Sequence, residues 1–403
     1  MNYLTHEKSL QRLSETYKAE LFRVMDFWTT MAIDHEFGGY FCALDRSGNV
    51  IDTDKGVWQT GRFAWMLAHL YNNFEKRDEW LQLSKHGIDF LEKHAYDEKG
   101  KLFFHLTREG KPVRMRRYAF SESFAAIAFA EYAKATGNES YAKKAIHAFE
   151  NFIAYNTGKF SVEPKFVEST RAMKSIGFPM IGIVTAQVLR DTIHYENANE
   201  IITKFINEIE RDFVNPEFQA VMENVGKNGD FVDHFDGRIL NPGHAIEGAW
   251  FIMEEGRLQS DPSLIRLGAK MLDWMWLIGW DKTWGGILYF RDVRGWPVTE
   301  YWQDMKFWWP QCETIIATLL AYQLTGDEKF AVMHKEIHDW TFERFPDSEK
   351  GEWYGYLHRD GRISVDLKGN LWKGPFHIPR MLMKSWQISN ELLATDTQRT
   401  KSK

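Results

Sequence analysis

Helical segments that are apolar around most of their surface alternate along this chain with segments that are apolar on one stripe only, and this limits the folds open to it. The segment at about 61–72 carries Phe63, Trp65, Met66, Leu67, Leu70 and Tyr71, so the helix it predicts is buried on most sides. The next, at about 78–93, mixes charge with Trp80, Leu83, Ile88 and Leu91 and faces outward. The pairing recurs at about 121–136 and 139–154, 180–194 and 198–213, 244–255 and 262–278, and 311–325 and 328–345. An amphipathic first helix at about 6–31 is left to pair with the last apolar one, at about 379–393. About twelve helices, alternately buried and exposed, predict an all-α ring of six helical hairpins.

The connections say which end of such a ring carries function. Links from an inner to an outer helix are short, as at Thr136-Gly137-Asn138-Glu139 and Thr325-Gly326-Asp327-Glu328. Links from outer to inner are long and aromatic. They begin at Gly38-Gly39-Tyr40-Phe41, Gly100-Lys101-Leu102-Phe103-Phe104, Gly285-Gly286-Ile287-Leu288-Tyr289-Phe290 and Gly351-Glu352-Trp353-Tyr354. Turns at Ser47-Gly48-Asn49, Arg108-Glu109-Gly110, Arg294-Gly295 and Asp360-Gly361 predict a β-hairpin in each. The long loops and the starts of the inner helices then share one end, where binding residues and free helix N–H groups are expected.

A chain of 403 residues can be held in one domain of this kind, expected over 1–395, with 396–403 as a flexible tail. Seventeen tryptophans exceed what a core needs and suit stacking on sugar rings. A net charge of -6 and the lack of a basic tract argue against nucleic-acid and membrane-surface roles. Cys42 and Cys312 are too few for a disulfide framework. With no signal-like start and no bilayer-length apolar run, a soluble cytoplasmic protein is expected.

The residues that could do chemistry cluster at the predicted inner-helix starts. In Asn241-Pro242-Gly243-His244-Ala245-Ile246-Glu247, an imidazole and a carboxylate three apart share one face, so Glu247 is expected to hold His244. Trp372-Lys373-Gly374-Pro375-Phe376-His377-Ile378-Pro379-Arg380 repeats the design with His377 and a permanent cation. The two histidines are expected nearly opposite each other across the ring, which suits chemistry on both faces of one carbon. Arg62 follows Trp58-Gln59-Thr60-Gly61 on an apolar helix and must meet a carboxylate, such as Glu122 or Glu313, or an anionic intermediate. Trp309 and Glu313, with Trp58, Glu122, Trp372 and Arg380, are expected to bind substrate by stacking and polar contacts. No His-Glu-x-x-His spacing predicts a metal at these residues, and no phosphate-cradling glycine loop appears. Glu247 and Glu313 could instead serve a glycosidase, and a helical toroid could be a protein-binding module.

At these residues the chain resembles the N-acylglucosamine 2-epimerase family, some of whose members are described as renin-binding proteins. The resemblance rests on the four motifs of Gly38-Gly39-Tyr40-Phe41, Asp52-Thr53-Asp54-Lys55 through Arg62, Asn241 through Glu247, and Trp308-Trp309 through Glu313. Gly351 through Leu357 and Trp372 through Arg380 extend it across nearly the whole chain. It implies an (α/α)6 barrel, a homodimer, and C2 epimerisation of a reducing sugar through an enediol-type intermediate. His244 and His377 would be catalytic, with Arg62 and Glu247. It implies no cofactor or metal, though some members respond to ATP as an effector. The stretch Gly177-Phe178-Pro179-Met180 lacks the histidine of cellobiose- and mannose-acting relatives, which favours N-acetylglucosamine and N-acetylmannosamine. Gln59-Thr60 departs from that branch and leaves a mannose/glucose 2-epimerase, or a mannose–fructose isomerase, as the alternative.

Overall fold

The structure, a computed structural model, describes residues 3–115, 119–156, 158–160 and 167–401, with side chains as far as residue 395. The chain opens with α1 (Glu7–Met31), followed by α2 (Val57–Asn73) and α3 (Asp78–His94). Then come α4 (Phe120–Thr136) with α5 (Glu139–Asn156), and α6 (Gly177–Ile193) with α7 (Ala198–Glu208). The last are α8 (Pro242–Gln259) with α9 (Pro262–Gly279), α10 (Trp308–Thr325) with α11 (Glu328–Arg344), and α12 (His377–Lys401), which packs on α1. The even-numbered helices pack on one another in order, α2 on α4 through to α10 on α12. Phe74 against Trp386 (4.7 Å) and Trp65 against Phe376 (5.4 Å) close the circle between α2 and α12. This is the expected (α/α)6 barrel, with one continuous apolar core between its two layers.

Local sequence explains the tight turns at one end. Gly137 and Gly326 both take φ near 68°, the left-handed conformation that stops α4 and α10 and reverses the chain into the outer helix. The inner helices begin one to four residues before the positions expected from apolar periodicity, because Val57, Phe120, Gly177, Pro242, Trp308 and His377 are already helical. Trp58 and His377 are thus first-turn residues and not loop residues. Helix α12 also continues to Lys401, so the backbone at 396–401 is helical where a tail was expected.

At the other end the loops are tied to each other. Hairpins form at Ala43–Leu44 with Val50–Asp52, at His105–Leu106 with Pro112–Arg114, and at Tyr356–Leu357 with Ile363–Val365. The hairpin expected at Arg294-Gly295 is absent: Arg291–Asp292 pairs instead with Ile239–Leu240, the strand that leads into α8. The same cross-loop pairing joins Lys55–Gly56 to His105–Leu106 and Lys306–Phe307 to Tyr356–Leu357. Each such strand feeds straight into an inner helix, so neighbouring loops fix where inner helices start.

Three buried charge clusters reinforce these seams. The Lys55 Nζ donates to Asp34 Oδ2 (2.8 Å) and to the carbonyls of Gly38 (2.6 Å) and Arg108 (2.8 Å), while the Arg108 side chain grips Asp34 with two nitrogens. Lys306 and Arg359 repeat this on Asp281, and Lys368 and Arg46 repeat it on Asp347. In each case the Asp follows an outer helix, the Lys precedes the next inner helix, and the Arg comes from the loop one unit further round. All three lysines are fully buried, a position an ammonium tolerates only when paired and hydrogen-bonded.

Against the cost of burial, the two cations hold each of these Asp carboxyls far below the usual range, helped by a backbone N–H at Asp34 and Asp281 and by the Tyr354 hydroxyl at Asp347. An unfolded Asp near pH 3.9 takes up a proton first, so this stabilisation is complete above about pH 4 and is lost as pH falls below it. Asp281→Asn strands the Lys306 ammonium, which burial already pulls down to about 8, and should lower stability by about 3–5 kcal/mol at neutral pH in urea unfolding.

Candidate active site

The first turn of α8 is built by its own sequence. Asn241 caps the helix, its side chain accepting the His244 N–H (3.2 Å), and Pro242 occupies the first helical position. This fixes the His244 side chain at the mouth of the ring, with one third of it exposed. Its Nδ1 lies 3.1 Å from both carboxylate oxygens of Glu223. Glu247, expected to hold His244, instead accepts from Arg380 Nη2 on α12 (2.5 Å). Three residues along a helix put Glu247 on the same face as His244, but one turn further into the barrel, where the neighbouring helices present Arg380.

His377 opens α12 and is 9% exposed. Its Nδ1 lies 2.7 Å from Glu313 Oε1, and that same oxygen is 2.7 Å from Arg380 Nη2. The other Glu313 oxygen accepts from Trp250 Nε1 (2.9 Å). Glu313 has no exposed surface and no free oxygen, so it supports His377 and Arg380 and is not the substrate hook expected. Arg380, also expected to touch substrate, is buried between its two carboxylates. Glu247, Glu313 and His377 offer ligand atoms within 4.8 Å of one another, as a metal site would, but the Arg380 guanidinium already sits on both carboxylates.

The histidines are not across the ring from each other. They stand on α8 and α12, with only α10 between them, and both rings face the indole of Trp309 on α10, at 4.9 Å for His244 and 5.8 Å for His377. Trp309 is therefore the partition against which the two imidazoles are set. Gly243 makes room for it, since a Cβ there would come within 2.6 Å of the indole. Each Nδ1 is tied to a carboxylate, and neither Nε2 is hydrogen-bonded among the described residues. Both Nε2 atoms are left for chemistry.

The two rings sit in unlike fields. Burial, joined by the charges of Arg380, Arg62 and His244, holds His377 well below the ordinary imidazole value despite Glu247. His377 is then neutral, its Nδ1–H donating to Glu313 and its Nε2 a bare lone pair. Burial also works against protonated His244, but the charge and hydrogen bond of Glu223, with Glu247 behind, outweigh it and raise that imidazole. A base and an acid thus stand ready side by side, which is what environments that push two groups apart produce.

Arg62 completes the mouth. Its guanidinium lies over Phe124 (4.1 Å) and Phe376 (4.8 Å), its Nε has no partner, and it forms no ion pair among the described residues. The pairing with Glu122 or Glu313 weighed from the sequence does not occur. Burial pulls Arg62 down to about 9, with Glu247 opposing and Arg380 assisting, so it stays cationic at neutral pH without a counter-ion of its own. Trp58 packs edge-on to Phe104 and Phe124 and donates from Nε1 to Ser121, forming the wall behind Arg62. Trp372 meets Trp58 at 6.0 Å and is 43% exposed, so it forms the open rim. Glu122 faces the outer layer, where it accepts from the Leu102 N–H and the Tyr155 hydroxyl, and burial raises its carboxyl to about 7. It belongs to the scaffold and not to the mouth. Glu223 escaped the sequence reading, although a lone carboxylate in the apolar run Ala220-Val221-Met222-Glu223 was a signal that could have found it.

A family profile described as N-acylglucosamine 2-epimerase (GlcNAc 2-epimerase) matches residues 38–378. The chain is similar to the N-acylglucosamine 2-epimerase of Bos taurus, with 34% identity over 96% of this chain and 94% of that protein. It is more distantly similar to the cellobiose 2-epimerase of Dictyoglomus turgidum, with 23% identity over 91% of this chain and 97% of the other. Among solved structures, the cellobiose 2-epimerase of Bacillus thermoamylovorans B4167 superposes with a TM-score of 0.82 at 20% identity, over 94% of this chain and 99% of that one, which supports the barrel.

The unequal fields can be read directly. In a histidine-labelled sample followed by NMR, with signals assigned from His→Asn variants, His244 should titrate above the ordinary imidazole range near 6.5. His377 should stay neutral well below it. Equal titration of the two rings would contradict the acid and base roles.

Proposed function

The chain belongs to the N-acylglucosamine 2-epimerase family, and from that premise we propose that it interconverts N-acetylglucosamine and N-acetylmannosamine by reversible epimerisation at C2. The observation that carries this reading is the pair of imidazoles set against Trp309, each anchored through Nδ1 and each with Nε2 free. In the open-chain aldehyde the C1 carbonyl acidifies the C2 proton. His377 Nε2 removes that proton, the C–H electron pair forms the C1–C2 double bond and the carbonyl pair moves onto O1, giving an enolate that keeps the acetamido nitrogen on C2. The uncommitted Arg62 guanidinium balances the charge on O1, an effect of about a few kcal/mol for donors of this type. His244 then gives its Nε2 proton to the other face of C2, restoring the aldehyde with inverted configuration. The reverse reaction uses the same groups with roles exchanged.

Two features support the acetamido sugar. The relatives named for N-acylglucosamine share about a third of their residues with this chain, well above the cellobiose 2-epimerases. On the third inner helix, where a histidine would offer hydrogen bonds to a plain hydroxyl, Met180 is buried beside Gly248 and presents an apolar thioether. The departure noted at Gln59-Thr60 carries little weight, because Gln59 holds the Leu371 carbonyl (3.2 Å) and Thr60 the Gly56 carbonyl (3.0 Å). No helix of the described chain is long and apolar enough to cross a membrane. A cytoplasmic location, a homodimer, the lack of a cofactor and ATP as an effector remain part of the proposal.

A panel of N-acetylmannosamine, mannose, glucose, fructose and cellobiose, with products separated chromatographically, tests the assignment. The expected result is conversion of N-acetylmannosamine to N-acetylglucosamine with at least about tenfold preference over mannose, since a site built for an acetamide leaves a polar group unmatched by a hydroxyl. Conversion of mannose with N-acetylmannosamine untouched would overturn it. Fructose among the products would mark an aldose–ketose isomerase.

A further inference from the structure

Glu223 stands out among the carboxylates near the mouth because its charge is not shared. Glu313 is shared among His377, Arg380 and Trp250, and Glu247 is taken by Arg380. Glu223 has no Lys or Arg ion pair among the described residues, and both of its oxygens address one imidazole nitrogen. Its backbone is held on both sides. The Glu223 carbonyl accepts from Ile176 N–H (3.0 Å) at the start of α6, and Met222 N–H donates to the Phe213 carbonyl (2.8 Å). The strand that follows, Asn224–Gly226, pairs with Met173–Ser175. The carboxylate is therefore placed by a rigid seam and not by a free loop.

The groups that face His244 are few. Glu223 comes from the loop, Glu247 from its own helix, the indole of Trp309 from α10 and the ring of His377 from α12. The buried phenol of Tyr289 stands near Glu223, and burial together with that carboxylate keeps it protonated, so it adds no charge. An ion-pair partner with no other cation favours the imidazolium, and two oxygens at equal distance from Nδ1 hold the ring plane with Nε2 turned the other way.

We propose that Glu223 is a positioning residue: through Nδ1 it holds His244 as the proton-carrying, oriented imidazolium of the resting site, while His377 is held as the neutral base. Its meaning for turnover rests on the two-histidine reading above. Glu223 touches no reacting atom. It acts by setting which ring starts with the proton, so that a site with two histidines enters each turnover with one acid and one base and not with two of either.

Glu223→Gln tests this, since the amide oxygen can still accept from Nδ1–H but carries no charge. The NMR titration of His244 should fall by about one pH unit or more, with His377 little changed. With wild-type protein, activity should decline at high pH as His244 loses its proton. In the variant that decline should move to lower pH by the same amount, kcat should fall about tenfold to a hundredfold at neutral pH, and KM should stay within about threefold. A merely structural role would lower the melting temperature without moving the titration or the alkaline limb. If Glu223→Gln fails to fold, Glu223→Asp, which keeps the charge, should retain a raised His244 titration. An unchanged His244 titration in folded Glu223→Gln overturns the proposal, and so does a shifted titration with an unmoved alkaline limb. Wild-type protein inactive on every C2-epimeric pair would sink the epimerase reading instead, while the titration would still decide the effect of Glu223 on His244.

Discussion

A single guanidinium ties the centre of this barrel together. Arg380, projecting from α12, takes Glu247 of α8 at 2.5 Å and Glu313 of α10 at 2.7 Å, so three consecutive inner helices meet on one buried cation. None of the three charges could stand there alone, since an unpaired buried ion costs several kcal/mol. Their mutual neutralisation decides the rest of the site. It leaves Glu313 geometrically able to orient His377 yet electrostatically unable to charge it, and it occupies Glu247, so that His244 depends on a carboxylate from elsewhere.

The same logic works at a larger scale in the loops. The Asp–Lys–Arg clusters at Asp34, Asp281 and Asp347 each bind the end of an outer helix to the start of an inner one and to the next loop round the ring. A barrel that presents first-turn residues to a substrate needs those turns to be fixed to within a fraction of an ångström. Cross-loop strands and buried ion clusters supply that stiffness at the end where long loops would otherwise be slack.

What the sequence made legible follows from how local each signal is. Inner and outer helices were readable because apolar periodicity is a property of a dozen adjacent residues, and the pairing of the first helix with the last followed from both being left over. His244, His377, Arg62 and Arg380 were readable because each sits at an inner-helix start. Partnerships were not. Spacing put Glu247 beside His244, but the packing of α12 turned it to Arg380, and Glu223 arrives from a seam that has no helical period. Glu122 and Glu313 look alike as glutamates near the starts of inner helices, yet one faces Tyr155 and the outer layer and the other faces His377. Nothing local in the sequence marks Lys55, Lys306 and Lys368 as buried charges, and only the fold reveals them as fully buried.

The central claim is that one histidine takes the C2 proton and a different one returns a proton to the opposite face. Single-turnover conversion in deuterated water, with the product examined by mass spectrometry and NMR, tests this most directly. The account predicts one deuterium at C2 of the product and protium retained in unreacted substrate, because the delivered proton comes from solvent-equilibrated His244 and not from the substrate. Product that keeps its original hydrogen at C2 would contradict it.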